Sequence, residues 1–284
     1  MVYVYTCAVF AIACFILGEV TGDQSWVDRL WSISPAVFAW EMNLMMESIS
    51  ARSMLMAILI SVWSCRLTYN FYRKGGYTAA GEDYRWQAIR DYLQKKGIRG
   101  TMYRLTMTAF NFAFISSYQN YLLLLLAMPV ALVEPTQETR ALNLMDLVAL
   151  LVFVIAIVGE TVADEQQWAF QTEKKRKKEA GEKLVGDYKN GFITSGLFAY
   201  SRHPNFFCEQ LIWVAIYLFI PAATGSLLFT MPASGCIQLC LLFQGSTWLT
   251  ELISASKYPQ YAQYKQRVSM LLPMPPSRAA STTR

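Results

Sequence analysis

The chain has 284 residues, of which 54% are hydrophobic and 16% are charged, and its formal net charge is +5. Its apolar residues fall in several long blocks, which is the distribution of a membrane protein and not of a soluble enzyme. A single histidine and six cysteines without a C-x-x-C pair argue against a zinc or haem site. The sequence also has no G-x-G-x-x-G motif after a strand and no P-loop, which argues against a separate nucleotide-binding domain.

In chain order, the apolar blocks predict six or seven membrane-spanning helices, each near the length needed to cross a bilayer. The predicted spans are 2–20, 31–48, 53–70, about 107–133, 144–163, 205–221 and 233–253. The second is weak because it carries Glu41 and Glu47, and the first lacks the features of a removed signal peptide. The sequence therefore predicts an all-α, multi-pass transmembrane helical bundle, with 1–273 as a single domain and 274–284 as a disordered tail.

The positions of lysine and arginine predict the orientation of the bundle. Residues 73–104 carry eight of them, 171–202 carry eight and 257–284 carry five, which together make 21 of the 25 in the chain. Two spans separate each of these segments from the next, so all three lie on one side, which the positive-inside rule identifies as the cytosol. The loop at 134–140 lies opposite. If the weak second span crosses, the N-terminus faces away from the cytosol.

This topology accounts for the net positive charge without a nucleic-acid partner. The lysine-rich run at 173–183 is typical of a positive-inside marker or of a segment that contacts acidic membrane lipids. In a eukaryotic cell, the expected membrane is that of the endoplasmic reticulum.

Polar side chains at the cytosolic ends of three spans are informative, because a buried polar group in a membrane is costly unless it is paired or used. Helical spacing groups them into three faces: Trp63, Arg66, Asn70 and Arg73; Glu160, Asp164, Gln167 and Gln171; and Asn205, Glu209 and Trp213, which follow Pro204. Each face alone fits either an interfacial anchor or the edge of a site. Glu209 fits an anchor least, since it lies more than a turn inside an apolar helix and needs a partner such as Arg66 or a ligand.

Five motifs, in chain order, support the interpretation that these faces line a site. They are "WSCRLTYNFYRKGGY", "EDYRW", "GETVADEQQ", "GLFAYSRHPNFFCEQLIW" and "KYPQYAQYKQRVSMLLP". Over about residues 25 to 273 the chain resembles the steroid 5-alpha-reductase-like proteins of the domain-of-unknown-function 1295 group. The resemblance to steroid 5-alpha-reductases themselves is thinner.

The resemblance implies a seven-helix membrane reductase that binds NADPH from the cytosolic side and delivers hydride to the beta carbon of an enone in a steroid or other lipid. The asparagine and glutamate that hold the cofactor in those enzymes match Asn205 and Glu209, the upstream aspartate matches Asp164, and an arginine of the third helix matches Arg66. The predicted cofactor-binding residues are Arg66, Asn70, Arg73, Asp164, Tyr200, Arg202, His203, Asn205 and Glu209.

The chain departs from the resemblance where the substrate ketone is polarised. Enzymes that act on steroids use a glutamate of the second helix and a tyrosine of the third. Here Glu41 or Glu47 can supply the first, whereas Trp63 falls near the position of the second and Tyr69 is a candidate replacement. The predicted catalytic residues are Glu41 and Tyr69.

Two other functions remain open. Isoprenylcysteine and phospholipid methyltransferases, which use S-adenosylmethionine, also carry an R-H-P followed by an aromatic residue and a C-terminal Y-x-x-Y. Their paired glutamates would be E-E, whereas this chain has Thr250 and Glu251, so we prefer the reductase. The third possibility is a non-catalytic lipid-binding protein that shares the fold.

Overall fold

The computed structural model describes residues 1–78, 81–133, 141–225 and 233–277. The helices, numbered in chain order, are α1 Val2–Thr21, α2 Trp26–Trp31, α3 Ser34–Leu44, α4 Ala51–Arg73, α5 Tyr84–Lys95, α6 Gly100–Phe110, α7 Gln119–Ala127, α8 Pro129–Leu132, α9 Leu144–Glu179, α10 Gly186–Asn190, α11 Pro204–Thr224, α12 Ala233–Lys257 and α13 Tyr261–Arg267. The π-helical segment Asn111–Tyr118 joins α6 to α7, and a 3-10 turn, Gly196–Ala199, precedes α11. No strand occurs in the described ranges, so the predicted all-α class is confirmed.

Six stretches of these helices are long and apolar enough to cross a membrane, which confirms the multi-pass prediction. They are α1, α4, the continuous stretch Gly100–Leu132, α9, α11 and α12. The fourth extends well beyond its predicted end at residue 163, because its polar and basic second half continues the helix to Glu179. The chain forms two compact units, and each is described by itself: the first comprises Met1–Leu150 and Val214–Leu239, and the second comprises Leu151–Trp213 and the chain from Cys240 on.

The weak second span is broken. Helices α2 and α3 are separated by Ser32 and Ile33, and each is shorter than the roughly 20 residues that cross a bilayer. Pro35, which has no N–H to donate, lies in the first turn of α3. Together α2 and α3 still extend over about 28 Å, at about 1.5 Å per residue.

Hydrogen bonds show the path of these helices within the first unit. At one end, the Thr6 hydroxyl on α1 donates to Oε1 of Glu41 on α3 over 2.7 Å. At the other end, Nε of Arg29 on α2 donates to the carbonyl of Gly76, just beyond α4, over 3.1 Å. The chain therefore runs along α1, returns through α2 and α3, and runs along α4 in the direction of α1.

A buried ion pair connects the start of α4 to the start of α9. Nε and Nη2 of Arg52 donate to the two carboxylate oxygens of Asp146 over 2.7 and 2.8 Å, and both side chains are buried. Nη2 also donates to the carbonyl of Ala141. Removing one partner from such a pair typically costs about 3–5 kcal/mol, because the other charge stays buried.

Amide side chains connect the third spanning stretch to α1 in the same way. Nδ2 of Asn111 donates to Oε1 of Glu19 over 2.8 Å, and its Oδ1 accepts from the Ser116 hydroxyl over 2.9 Å. These residues lie at or beside the π-helical segment, where an extra residue per turn changes which side chains face the neighbouring helix. Such hydrogen bonds stabilise helix pairs in a membrane.

The single domain at 1–273 and the disordered tail at 274–284 stay predictions. The loop at 134–140 and the tail residues 278–284 lie outside the described residues. Of the predicted tail, Met274 donates its N–H to the carbonyl of Tyr200, and Ser277 donates its N–H to the carbonyl of Arg267, both over 2.9 Å.

We expect cysteines placed at Glu47 and Lys96, which are exposed at opposite ends of the first unit, to react with impermeant reagents on opposite membrane faces. Lys96→Cys should react from the cytosol, because it lies in a basic segment, and Lys183→Cys should react from the same side. The parent chain controls for native cysteines. Labelling of Glu47→Cys and Lys96→Cys from one side would contradict the path through α2 and α3.

Candidate functional site

The candidate site lies in the second unit, where the R-H-P stretch ahead of α11 is held by the chain beyond α13. The N–H groups of Arg202 and His203 donate to the carbonyls of Ser269 and Met270 over 2.9 and 3.1 Å. The hydroxyl of Ser201 donates to the carbonyl of Leu271 over 2.7 Å. These bonds fix the backbone of the stretch, so its side chains take defined positions.

The carboxylate of Glu251, on α12, contacts three basic side chains. Its Oε1 accepts from Nε of Arg202 over 2.5 Å and lies 3.3 Å from Nε2 of His203, and its Oε2 lies 3.1 Å from Nζ of Lys265. Nη1 of Arg202 also donates to the carbonyls of Lys265 and Val268. We call Arg202, His203, Glu251 and Lys265 the Glu251 cluster. With a neutral histidine its formal charge is +1, which suits an anionic group nearby.

Two tyrosines of α13 pack beside this cluster. Burial raises the pKa of Tyr261 above the ordinary range of a phenol, and the nearby Glu251 carboxylate raises it further. Burial also raises the pKa of Tyr264, whose hydroxyl donates to the carbonyl of Phe198 over 2.6 Å. Both phenols therefore stay neutral, and the hydrogen bond from Tyr264 holds α13 against the turn before the R-H-P stretch.

Three predicted cofactor-binding side chains lie close together on α9 and α11. Nδ2 of Asn205 donates to Oδ1 of Asp164 over 3.4 Å. One turn further along α11, Oε1 of Glu209 accepts from Nε1 of Trp213 over 3.1 Å. Asp164 is 3% exposed and Glu209 is 4% exposed, so neither side chain behaves as an interfacial anchor that leaves the membrane for water.

A glycine sets the approach of α9 to α11 beside these residues. A Cβ built on Gly159 would lie 2.9 Å from Sγ of Cys208, closer than real Cβ contacts. The small residue on α9 lets the two helices come close enough for the Asp164 and Asn205 side chains to meet one or two turns away.

The turn before the R-H-P stretch also depends on a glycine. Gly196 has a φ of +62°, in the left-handed region that glycine favours, and a Cβ there would lie 2.5 Å from Oε1 of Gln166. That oxygen accepts from the N–H of Leu197 over 2.9 Å. The α9 side chain therefore fixes the chain as it enters Tyr200 and the R-H-P stretch, and Tyr200 itself is half exposed.

In the first unit, Glu41 has an unusual environment. Its Oε1 accepts from Thr6, whereas its Oε2 is buried and has no hydrogen-bond partner within the described ranges. The other candidate glutamate, Glu47, is exposed. A buried carboxylate oxygen without a hydrogen-bond partner requires an explanation, and a hydrogen bond to a ligand would provide one.

The remaining predicted residues lie along α4. Nε of Arg73 donates to Oδ1 of Asn70 over 3.0 Å, and the Arg73 guanidinium carbon lies 5.5 Å from the ring centre of Tyr69. Tyr69 is 62% exposed, whereas Trp63 is fully buried and Arg66 is half-buried. The structure thus brings Tyr69, Asn70 and Arg73 together, and the role of Tyr69 at a ketone stays a prediction.

Sequence reasoning missed Glu251 and Lys265 as members of the site. Glu251 is an acid inside an otherwise apolar predicted span, and that signal is of the same kind as the one that identified Glu209. Lys265 gave no such signal, because a basic residue after the last span is what the positive-inside rule expects.

Comparison with known proteins identifies one matching protein family and one similar protein. The profile of a family described as "Protein of unknown function (DUF1295)" matches residues 14–268. A protein of Schizosaccharomyces pombe (strain 972 / ATCC 24843), "Uncharacterized protein C594.04c", is 39% identical over an alignment of 276 residues. The alignment covers 91% of this chain and 77% of that protein. No solved structure matches the chain.

We expect Gly159→Ala to lower the free energy of unfolding of the purified protein by about 1–3 kcal/mol, because the new alanine Cβ would overlap Sγ of Cys208. Thermal unfolding of each variant measures the loss. Cys208→Ala removes that atom, so the double variant should recover most of the loss. Equal losses in the single and double variants would show that the two helices do not touch at this point.

Proposed function

The chain belongs to the DUF1295 family, and from that premise we propose that it is a membrane reductase. Its reaction would be the NADPH-dependent reduction of a carbon–carbon double bond conjugated to a ketone, in a steroid or another lipid taken from the bilayer. The single observation that carries the proposal is the buried group of Asp164, Asn205 and Glu209 in the second unit.

The chemistry of this group suits the carboxamide of a nicotinamide. A carboxamide has two N–H donors and one carbonyl acceptor, while Asp164 and Glu209 offer acceptors and Asn205 offers a donor. The distance of 3.4 Å between Asn205 and Asp164 is long for an N–H···O bond, so both side chains can exchange it for a bond to a ligand.

In the second unit, Arg202 of the Glu251 cluster suits the phosphates of the same cofactor. Arg66 and Arg73, in the first unit, stay sequence predictions for that role. Because Glu251 holds Nε of Arg202, this arginine would bind an anion together with Lys265 and not by itself. Guanidinium groups suit phosphates because they donate two parallel hydrogen bonds.

The resemblance predicts Glu41, in the first unit, as the residue that polarises the ketone. Bound NADPH would supply the hydride that adds to the beta carbon of the enone. In its neutral form Glu41 can donate through its unsatisfied Oε2 to the carbonyl oxygen, where negative charge develops. The apolar helices around such a site exclude water and strengthen that hydrogen bond.

The second candidate function rests on the contact of the R-H-P stretch with Glu251. A methyltransferase of the isoprenylcysteine or phospholipid type would use these residues to hold S-adenosylmethionine. We rank it below the reductase because Arg202 and Lys265 already surround the one acid of α12 that could face a cationic cofactor. A non-catalytic lipid-binding protein would hold neither cofactor.

Titration of the purified protein in lipid nanodiscs with NADPH and with S-adenosylmethionine separates the three functions. We expect binding of NADPH alone, measured by nicotinamide fluorescence and by calorimetry. Binding of S-adenosylmethionine alone would replace reduction with methyl transfer, and binding of neither would leave only the lipid-binding function.

We also propose that the three basic segments face the cytosol, so that a cytosolic cofactor reaches the site directly. In a eukaryotic cell the host membrane would be the endoplasmic reticulum. The cysteine labelling described above tests this orientation, and microscopy of a tagged chain tests the organelle.

We expect Asn205→Ala and Glu209→Ala each to weaken NADPH binding about tenfold or more, because each removes a hydrogen bond to the ligand. Both proteins should still insert and fold, although each change also removes a hydrogen bond within the chain, to Asp164 or from Trp213, that is worth about 1–3 kcal/mol. Glu165→Ala, an exposed acid on α9, is the matched control. NADPH affinities like those of the parent in both variants would reject the site.

We expect Arg66→Lys to weaken NADPH binding about tenfold, because lysine cannot reproduce the planar fork of a guanidinium on phosphate. Arg104→Lys should be silent, since Arg104 is exposed and needs only its charge. The measurement is the dissociation constant of each variant beside the parent. If both lysine variants bound NADPH as tightly as the parent, Arg66 would be an interfacial anchor and not a cofactor ligand.

A further inference from the structure

One face of α12 is exposed along most of the helix. Its side chains recur at spacings of three or four residues, so they line one stripe, and they are Ile237, Leu241, Gln244, Trp248 and Leu252. Leu241 is 66% exposed and Trp248 is 64% exposed. Thr247 and Glu251, at the edge of this stripe, are buried.

The stripe is apolar except for Gln244, which lies near the middle of the helix. At about 1.5 Å per residue, the amide is roughly 18 Å from either end, too far for a short side chain to reach the membrane surface. Gln244 is exposed and makes no hydrogen bond to any described residue. A side-chain amide left in hydrocarbon is costly, because lipid tails offer neither donor nor acceptor.

The next residue gives a second helix room to approach. A Cβ built on Gly245 would meet nothing within 4 Å, so this glycine is not required by packing inside the chain. Glycine costs roughly 1 kcal/mol relative to alanine in a helix interior. Small residues beside a polar one are typical of contacts between membrane helices, because they let the backbones come close.

We propose that this stripe is the interface of a homodimer, in which α12 of one copy packs against α12 of a second copy. Copies inserted in the same orientation are related by a two-fold axis along the membrane normal, which brings Gln244 of one chain opposite Gln244 of the other. An amide is self-complementary because it both donates and accepts, so the pair satisfies both side chains. Lipid tails cannot do this at mid-membrane depth, and a different protein would need its own polar residue at the matching depth.

Glu251 lies seven residues after Gln244, about 10 Å further along the helix, and its carboxylate is held by Arg202, His203 and Lys265. The proposed pairing uses Gln244 and Gly245, which are not members of the Glu251 cluster. The inference therefore does not rest on the proposed reductase function, and either can fail without the other.

The test measures self-association of the full chain in lipid vesicles by energy transfer between labelled copies, over a range of protein-to-lipid ratios. We expect the parent to dimerise, Gln244→Leu to raise the dissociation constant about tenfold, and Gly245→Ile to raise it further by blocking the approach. Ala8→Ile, an equally bulky change at an exposed position of α1, is the matched control and should dimerise as the parent does.

Circular dichroism and thermal unfolding distinguish loss of the interface from loss of the fold. We expect both variants of the stripe to unfold like Ala8→Ile when studied in excess detergent, because neither residue packs inside its own chain. A parent that stays monomeric at every protein density, or a Gln244→Leu variant that associates as tightly as the parent, would overturn the proposal. Capture of a different membrane protein by a monomeric parent would overturn it as well.

Discussion

The ion cluster around Glu251 is the interaction on which the candidate site depends. One carboxylate inside an apolar helix holds Arg202 and His203 from the stretch before α11 and Lys265 from α13. Without it, a guanidinium and an imidazole would remain buried without their acid, which is far more costly than losing an exposed pair. The position of the R-H-P side chains, and of the polar residues that follow them on α11, therefore depends on an acid some 50 residues later in the chain.

The first unit follows the same physical rule with different residues. Arg52 and Asp146 satisfy each other, and Asn111 satisfies Glu19, because an unpaired polar group is not tolerated inside a membrane bundle. The buried Oε2 of Glu41 is one of several buried side-chain atoms of the described residues that have no hydrogen-bond partner. Polar groups that have all their hydrogen bonds within the chain hold the helices together. A group that can still form a hydrogen bond is a better candidate for binding a ligand.

The same reasoning distinguishes two polar residues of α12. Glu251 is buried and has cationic partners within the chain, whereas Gln244 is exposed and has no hydrogen-bond partner among the described residues. A polar residue facing the protein interior is explained by the fold, and one facing lipid requires something beyond the fold. For this reason α12 supports both a site inside one chain and a contact between two chains.

The sequence by itself determined the helical class, six of the seven predicted spans and the shared helix of Asn205 and Glu209, because hydropathy and the helical period are local properties. Tertiary structure decided the break between α2 and α3, the pairing of Glu251 with Arg202 and Lys265, and the exposure of Tyr69. The partners of Glu251 are far from it in the chain, and a buried acid of α12 looks the same in sequence whatever it pairs with. Which side chains meet is fixed by helix packing, to which residues such as Gly159 contribute through the close approach that they allow.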